Sequence, residues 1–258
     1  MRVGVIGSNG FVGAALLRAL IGRAEPVQLK LPEFNLCDPA TWSGISGLDC
    51  VVHTAARQYT SRFEIYDVNA RSAGALAREC NKAGVKKFVY LSTGAIYGPR
   101  DMATTPEMEP RPADDYAVSK WLAEKKFNQL LQAQLHILRI YFPYGRAQKV
   151  PRLIPRLVDA VRFGKEIRCN PDGGPFLSIG HVEDIAEKIS ADFVLGADER
   201  RVVNVASDQV ISIEKIARSI ATRLGVEARF VRDGNASNSV SVPFRPGTWR
   251  PFRADELV

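Results

Sequence analysis

The chain has 258 residues, enough for one large α/β domain or for a domain with a small appended lobe. With 46% hydrophobic and 24% charged residues it is an ordinary globular protein, which excludes disordered and collagen-like classes. The net charge of +7 suits an anionic small ligand, whereas nucleic acid is disfavoured as a ligand because no stripe of basic residues with interleaved aromatics is present.

The start of the chain and its cysteines bear on where the protein works. A glycine-rich turn follows Met1 almost directly, which leaves no room for a signal peptide. No apolar run approaches the roughly 20 residues that span a bilayer. The four cysteines and three histidines lack disulfide or metal-ligand spacing, so we expect reduced thiols and no metal site. We therefore expect a cytoplasmic protein that does not enter a membrane.

Short apolar runs alternate with helical patterns in the first half of the chain. The predicted strands are Val3–Ile6, Val27–Leu31, Cys50–His53, Phe88–Leu91 and Ile137–Ile140. The predicted helices are Phe11–Ile21, Phe63–Ala83 and Ala117–Ala133. This alternation predicts an α/β fold with a Rossmann-like, doubly wound parallel sheet.

The second half of the chain lacks this regular alternation. Its predicted helices are Val150–Phe163, Val182–Leu195 and Ile213–Leu224, and its predicted strands are Phe176–Ile179, Val202–Val205 and Ala228–Val231. We expect residues 1–148 to form a dinucleotide-binding region. Residues 149–258 are expected to form mostly a small C-terminal substrate lobe, with elements that return to the main sheet.

A glycine-rich turn lies between the first predicted strand and the first predicted helix. Gly7 allows a tight turn, Gly10 lets the backbone approach a pyrophosphate, and Gly13 permits close packing of helix on strand. The N–H groups and dipole of the helix stabilise a phosphate at this point. The alternative is a turn that needs small residues for its shape alone. Strand, spacing and helix together favour dinucleotide binding.

The end of the second predicted strand bears on which dinucleotide binds. In NAD-binding proteins an acidic residue about 20 positions after the turn bonds the adenosine ribose. Here Lys30 lies near the strand end and Glu33 comes slightly late. A lysine slightly favours the 2′-phosphate of NADP. Lys30 serves equally well as a solvated strand residue, so both NAD and NADP stay open.

Tyr116 and Lys120 stand four residues apart, where a helix begins after Pro112–Asp115. Four residues make about one helical turn, so both side chains project from the same face. A lysine ammonium beside a phenol stabilises the phenolate, which suits Tyr116 to proton transfer. Because Tyr-x-x-x-Lys occurs by chance in many helices, the pair indicates a function only together with other motifs.

The glycine turn, the segment Leu91–Gly98 and the Tyr116–Lys120 pair follow one another in the chain. This order resembles the extended short-chain dehydrogenase/reductase superfamily, and within it the NAD-dependent epimerase/dehydratase family. The likeness extends over nearly the whole chain through Asp38, His53–Ala56, Asn69, Leu138–Gly145 and Gly180–Ala186. It implies a Rossmann fold, an NAD(P) cofactor and an oxidoreductase.

The resemblance also implies roles for individual residues. Tyr116 is the general acid/base, Lys120 holds the nicotinamide ribose, and Thr93 bonds the substrate oxygen, unless Thr93 merely finishes a strand. The expected cofactor contacts are Gly7, Asn9, Gly10, Phe11, Val12, Gly13, Lys30, Leu36, Asp38, Thr54, Ala55, Ala56, Tyr116, Lys120 and Tyr141. The expected substrate contacts are Thr93, Gly94, Phe142 and Arg245.

The two residues after Thr93 narrow the range of possible reactions. By the resemblance, dehydratases and decarboxylases carry acid/base carboxyl groups there, whereas this chain has Gly94 and Ala95, which cannot transfer a proton. Both reactions are therefore disfavoured. An epimerase with a transient 4-keto intermediate and a 4-ketoreductase use the same three residues, so the sequence leaves both open. The expected substrate is a nucleotide sugar.

Two features keep other functions open. Phe142 stands where the family often has an Asn that contacts the substrate diphosphate, and Arg245 resembles a diphosphate-binding arginine but equally suits a solvated loop. One alternative is an NADPH-dependent reductase of a non-nucleotide carbonyl substrate. Another is a non-catalytic NAD(P)-sensing or nucleic-acid-binding Rossmann protein, which the intact Tyr116–Lys120 pair disfavours.

The resemblance further implies a homodimer built on two of the predicted helices, Phe63–Ala83 and Ala117–Ala133.

Overall fold

The structure, a computed structural model, describes residues 1–146, 148, 150–197, 199, 201–243 and 246–257. Its internal contacts divide the chain into two compact units. The first comprises Met1–Gly98, Glu109–Ile140 and Ile185–Val203. The second comprises Pro99–Met108, Tyr141–Asp184 and Asn204–Val258. Within the described part of the chain, no helix is long and apolar enough to cross a membrane.

The secondary structure alternates strands and helices through the first half. The strands are β1 (Arg2–Ile6), β2 (Glu25–Leu29), β3 (Cys50–His53), β4 (Lys87–Thr93), β5 (Gln134–Ile140), β6 (Pro143–Tyr144), β7 (Glu166–Arg168), β8 (Phe176–Ser178), β9 (Gly180–His181), β10 (Val202–Val205), β11 (Val210–Ser212) and β12 (Arg229–Val231). The α-helices are α1 (Phe11–Leu20), α2 (Arg62–Tyr66), α3 (Ser72–Lys82), α4 (Asp115–Leu130), α5 (Leu153–Arg162), α6 (Val182–Lys188) and α7 (Ile213–Leu224). Asp67–Arg71 and Ile189–Val194 are π-helical, and Pro39–Ile45, Gly94–Tyr97 and Ala254–Glu256 are 3₁₀ helices.

Six strands form the main sheet in the order β10-β5-β4-β3-β1-β2. The neighbours β1–β2, β1–β3, β3–β4 and β4–β5 all run parallel. After β2 the chain crosses to the other side of β1 to form β3, so the strand order reverses between β1 and β3. Ligands of doubly wound sheets bind at this kind of reversal, beyond the carboxyl ends of the strands. The predicted α/β class with a Rossmann-like parallel sheet is confirmed.

The core of the first unit joins the sheet to helices α3 and α4. Leu76, Ala77 and Cys80 line the buried face of α3, at the spacing of an amphipathic helix. On α4, the ring of Phe127 lies 4.8 Å from the rings of both Phe88 and Tyr90 on β4, measured between centroids. Helix α4 is therefore packed firmly onto the strand that ends at Thr93.

The second unit has its own core and three small sheets. Strand β6 pairs in parallel with β9, β7 in parallel with β12, and β8 antiparallel to β11. Helices α5 and α7 contribute Ile154, Val161, Ile216 and Ile220 to its hydrophobic cluster. The prediction that residues 1–148 bind the dinucleotide and residues 149–258 bind the substrate concerns ligands, and it stays a prediction.

Several element bounds differ from the sequence-based predictions. The strand predicted at Val27–Leu31 lies at Glu25–Leu29, because the chain turns at Lys30, whose carbonyl accepts a bond from the Phe34 N–H. The helix predicted from Val150 begins at Leu153, after Pro151, which favours extended backbone before it. The helix predicted to run to Ala133 ends at Leu130.

Candidate active site

The glycine turn closes tightly against the end of β3. Gly7 has φ +81°, and a β-carbon there would lie 2.8 Å from the Ala55 backbone. The Gly10 N–H donates to the Gly7 carbonyl at 2.9 Å. A β-carbon at Gly13 would lie 2.2 Å from that same carbonyl oxygen. Gly7 and Gly13 are therefore required by backbone contacts that no side chain could relieve.

Thr54 stabilises this turn from the neighbouring strand end. Its hydroxyl donates to the Ile6 carbonyl at 2.8 Å and lies 3.2 Å from the Gly7 carbonyl oxygen. Thr54 and Ala55 are half-buried, whereas Ala56 is exposed. The structure thus gives Thr54 a supporting role, and the cofactor contacts predicted for all three residues stay predictions.

The turn has the features of a pyrophosphate site. Helix α1 has ten residues, and its N-cap, Gly10, provides no side-chain cap for the first N–H groups. These groups and the helix dipole favour an anion. Ser8 is only 2% exposed, and its hydroxyl has no hydrogen-bond partner among the residues that the structure describes. A buried hydroxyl without a partner is unfavourable, so the residues present fit a dinucleotide that would supply one.

The sequence pattern does not single out Ser8, whereas it predicts cofactor contacts for the glycines and for their neighbours Asn9, Phe11 and Val12. Asn9 is exposed, and Phe11 and Val12 are half-buried at the start of α1. The signal available in the sequence was a hydroxyl directly after the first glycine, but its burial depends on how the turn packs.

The residues predicted near the adenosine follow β2. Lys30 is half-buried directly after the strand, and Leu36 is buried in the core of the first unit. Asp38 is exposed, and one of its carboxylate oxygens accepts a bond from the Ala40 N–H at 3.1 Å, which caps a 3₁₀ helix. Leu36 packs in this core, and the cofactor contacts predicted for Leu36, Lys30 and Asp38 stay predictions.

Side-chain contacts fix the start of helix α4, whose second residue is Tyr116. The Asp114 carboxylate accepts a bond from the Ala117 N–H at 2.7 Å, a side-chain N-cap that starts the helix at Asp115. Asp115 in turn pairs with Arg62 at 3.1 Å and accepts a bond from the Tyr66 hydroxyl at 3.1 Å. These contacts hold the first turn of α4, which carries Tyr116, against α2.

Lys120 joins α4 to the strand that carries Thr93. Its side chain is 1% exposed, and its Nζ donates to the Leu91 carbonyl at 2.6 Å. The same ammonium lies 4.2 Å from the centroid of the Tyr90 ring. Thr93 stands two residues after Leu91 on β4 and is half-buried, and its hydroxyl oxygen accepts the Ala95 N–H at 3.2 Å. The bond between Lys120 and Leu91 thus places α4, which carries Tyr116 and Lys120, against β4, which carries Thr93.

Asn69 links the chain after β3 to the same helix. Its side chain accepts the Arg57 N–H and donates to the Arg57 carbonyl, both at 2.8 Å. It also donates to the Ser119 hydroxyl at 3.0 Å, and Ser119 donates to the Tyr116 carbonyl at 2.7 Å. Asn69 lies in the π-helical turn Asp67–Arg71, a type of distortion found often at functional sites.

The phenol of Tyr90 and the imidazole of His53 are buried near Lys120, and both are neutral. Burial raises the pKa of Tyr90 well above its ordinary value, and the charge of Glu124 raises it further. Burial lowers the pKa of His53 to about 3, and the nearby charge of Lys120 acts in the same direction. In the described part of the chain, neither the Tyr90 hydroxyl nor the His53 Nδ1 has a hydrogen-bond partner. Neither His53 nor Tyr90 therefore adds a charge next to Lys120.

The remaining predicted contacts fall in different places. Gly94 is buried in the first unit. In the second unit, Tyr141 is buried and its hydroxyl shares a hydrogen bond with Thr104. Phe142 has φ +29°, and its half-buried side chain packs against the core of that unit. Arg245 lies outside the described residues. The roles predicted for these residues in cofactor or substrate binding stay predictions.

Comparison with known proteins finds a matching family. The model of the "NAD dependent epimerase/dehydratase family" matches residues 3–206. The uncharacterized protein y4nG of Sinorhizobium fredii (strain NBRC 101917 / NGR234) is 28% identical over 215 residues. That match covers 74% of this chain but 53% of y4nG, so it spans about half of that relative's length.

Solved structures share the fold. The UDP-glucose 4-epimerase of Thermus thermophilus, in complex with NAD, is 24% identical with a TM-score of 0.75. The match covers 94% of this chain and 91% of that one. The dTDP-4-dehydrorhamnose reductase of Bacillus anthracis str. Ames, in complex with NADP, is 19% identical with a TM-score of 0.79 and covers 94% and 90%.

Proposed function

Because the chain belongs to the NAD-dependent epimerase/dehydratase family, we propose that it is an NAD(P)-dependent oxidoreductase acting on a nucleotide sugar, with Tyr116 as acid/base. The reaction is either epimerisation through a transient 4-keto intermediate or reduction of a 4-ketone. The observation that carries the proposal is the buried ammonium of Lys120, held at the Leu91 carbonyl one helical turn from Tyr116. A cation fixed there supports proton transfer by the phenol.

The mechanism assigns one task to each of three side chains. Bound NAD(P) supplies hydride transfer, and Gly7, Gly10, Gly13 and the start of α1 would hold its pyrophosphate. Lys120 stabilises the phenolate form of Tyr116 electrostatically. Tyr116 takes the proton from the sugar hydroxyl as it becomes a ketone, and returns a proton in the reverse step. Thr93 donates its hydroxyl hydrogen to the same substrate oxygen and so orients it.

The residues after Thr93 limit what else this site can do. Gly94 and Ala95 cannot transfer a proton to or from a second position of a sugar. An epimerase needs only Tyr116, which removes a proton from the sugar oxygen and later returns one to the ketone once it has turned over. A reductase needs Tyr116 to donate a single proton. Both reactions therefore agree with the side chains present.

The choice of cofactor rests on Lys30. Its half-buried position directly after β2 supports a contact with the 2′-phosphate of NADP, which slightly favours NADP over NAD. One of the structural neighbours described above binds NAD and the other NADP. We keep NADP as the proposal and NAD as its alternative.

Phe142 favours a second candidate substrate. Its apolar side chain packs against the core of the second unit and offers no hydrogen-bonding group to a diphosphate. A chain that lacks this contact suits a carbonyl substrate without a nucleotide. The second candidate is therefore an NADPH-dependent reductase of a non-nucleotide carbonyl compound.

We also propose a cytoplasmic homodimer. Support for the cytoplasm comes from Cys37, Cys50, Cys80 and Cys169, which are all free thiols. Support for the dimer comes from α3 and α4, which overlap the two helices that the family resemblance assigns to the interface. Size-exclusion chromatography with light scattering measures the oligomeric state directly.

A substrate panel tests the proposed function. The protein is incubated with UDP-glucose, UDP-glucuronic acid, dTDP-glucose and their 4-keto derivatives, each with and without added NADPH. Interconversion of C4 epimers without net NADPH consumption identifies an epimerase, and one NADPH oxidised per ketone identifies a reductase. Turnover of simple ketones but of no nucleotide sugar contradicts the proposal and supports the second candidate.

A further inference from the structure

A buried ion pair links α4 to the neighbouring strand β5. The Nε of Arg139 donates to one carboxylate oxygen of Glu124 at 3.2 Å, and its Nη2 donates to the other at 2.8 Å. The side chains are 7% and 6% exposed, respectively. Two parallel hydrogen bonds between a guanidinium and a carboxylate fix orientation as well as distance. The pair therefore sets how α4 lies against β5.

The same guanidinium bonds a third element. Its Nη1 donates to the hydroxyl of Tyr97 at 2.6 Å, and its central carbon lies 4.9 Å from the centroid of the Tyr97 ring. Tyr97 is fully buried and ends the 3₁₀ turn Gly94–Tyr97. All three guanidinium nitrogens of Arg139 thus donate to Glu124 or Tyr97.

These two partners lie near Tyr116, Lys120 and Thr93 in the sequence. Glu124 follows Lys120 by one helical turn and Tyr116 by two, on the same face of α4. Tyr97 ends the 3₁₀ turn Gly94–Tyr97, and the hydroxyl oxygen of Thr93 caps the start of that turn. One buried guanidinium therefore connects the helix that carries the acid/base with the turn that follows the substrate-orienting hydroxyl.

We propose that Arg139 is a positioning residue, which through Glu124 and Tyr97 fixes Tyr116 and Lys120 relative to Thr93. The proposal rests on the proposed function, because it assumes that these three side chains carry the reaction. Two buried charges are often no more stabilising than well-packed apolar residues of similar volume, because both must leave water. Beyond packing, the ion pair fixes the orientation of α4 relative to β5. This matters for catalysis, because a misplacement of about 1 Å at a reacting group can lower the rate about 100-fold.

Three variants separate positioning from stability. Arg139→Lys keeps the charge but replaces the planar guanidinium by an ammonium, whose three N–H groups radiate from one nitrogen and cannot reproduce the two parallel bonds to Glu124 together with the bond to Tyr97. The double variant Glu124→Met with Arg139→Met replaces the pair by apolar side chains that pack without directional bonds. Asn81→Ala is the matched control, since Asn81 bonds the Leu130 carbonyl and the Gln132 N–H at the opposite end of α4.

The measurements are kcat and KM for the nucleotide sugar that the wild-type protein converts fastest, together with the melting temperature. We expect kcat to fall about 10- to 100-fold in Arg139→Lys and in the double variant, with KM within about threefold. The double variant melts within about 5 °C of the wild type, and Asn81→Ala keeps its kcat. A double variant with wild-type kcat overturns the proposal, because the pair then contributes packing only.

Amide hydrogen exchange gives a readout that needs no substrate. The proposal expects faster exchange in the first turns of α4, residues 115–120, in Arg139→Lys than in Asn81→Ala. Equal exchange in the two variants overturns it. If the wild-type protein converts no member of the panel, the proposed function has failed, and hydrogen exchange still decides whether Arg139 holds the helix.

Discussion

The ammonium of Lys120 donates a 2.6 Å hydrogen bond to the backbone carbonyl of Leu91. This contact spans 29 positions in the sequence and joins the second turn of α4 to β4, two residues before Thr93. A backbone carbonyl cannot move away as a side chain can. The lysine charge is therefore fixed relative to the strand that carries Thr93, and this relationship is the basis of the predictions below.

Removing the Lys120 charge should stop the reaction. In Lys120→Met both the bond to Leu91 and the cation that stabilises the Tyr116 phenolate are lost, so we expect kcat/KM to fall by about 10² to 10⁴. The control is Lys125→Met on the exposed face of the same helix, where the ammonium lies over the Trp121 ring. Steady-state kinetics of both variants measure the difference. Equal losses in the two would show that Lys120 has no special role.

The N-cap of α4 should matter for activity as well as stability. We expect Asp114→Ala to lower the free energy of unfolding by about 1 kcal/mol and to loosen the turn that carries Tyr116, which lowers kcat. Ser212→Ala removes the cap of α7 in the second unit, where the Ser212 hydroxyl accepts the Lys215 N–H at 3.2 Å. Urea denaturation and kinetics compare them. If Ser212→Ala lowers kcat as much as Asp114→Ala does, the fall of kcat in Asp114→Ala comes from lost stability alone.

A side chain at Gly13 should abolish cofactor binding. The β-carbon of Gly13→Ala meets the Gly7 carbonyl at 2.2 Å and the Thr54 hydroxyl at 2.8 Å, so the turn must open. We expect the affinity for NADPH, measured by fluorescence titration, to fall at least about tenfold, or roughly 1.4 kcal/mol. In the control Gly74→Ala on α3, the nearest side-chain atom lies 3.6 Å away, and stability should rise by about 0.5–1 kcal/mol. Unchanged affinity in Gly13→Ala would contradict the proposed pyrophosphate site.

His53 should make the protein less stable in mild acid. Its pKa is lowered to about 3 by burial, so the folded protein keeps it neutral while the unfolded chain protonates it below about pH 6.5. The unfolded state then binds the extra proton, and stability falls as pH falls from 6.5 towards 3. The limiting contribution is about 1.4 kcal/mol per pH unit. His53→Phe, which suits the surrounding rings of Phe88, Tyr90 and Phe127, should reduce this slope between pH 6.5 and 5. The same slope in both proteins, from urea unfolding, would show that His53 does not titrate in this way.

The features predicted correctly from the sequence are those that local pattern determines. The glycine spacing, the alternation of strands and helices and the N-terminal start of the Tyr116 helix all depend on residues close together in the chain. Strand Cys50–His53 and helix Ile213–Leu224 lie where the pattern predicts them. The parallel order of the sheet follows from the same alternation, since parallel strands need long crossovers.

The features that the sequence did not reveal depend on distant contacts. Strands β6 and β9 have two residues each, too few to show a period, and exist only because they pair with each other. Pairing of Arg139 with Glu124 requires the packing of α4 on β5. Burial of the Ser8 hydroxyl likewise depends on how the turn meets β3. Such contacts are fixed by the folded chain and have no signature in a single sequence.

The central claim is that Tyr116 transfers the proton, and Tyr116→Phe tests it most directly. The substitution removes one hydroxyl from a buried ring and should leave the glycine turn and Lys120 intact. We expect NADPH to bind with an affinity within about threefold of the wild type, while kcat with the best nucleotide sugar falls by about 10² to 10⁴. Turnover by Tyr116→Phe at the wild-type rate, with cofactor bound, would contradict the account.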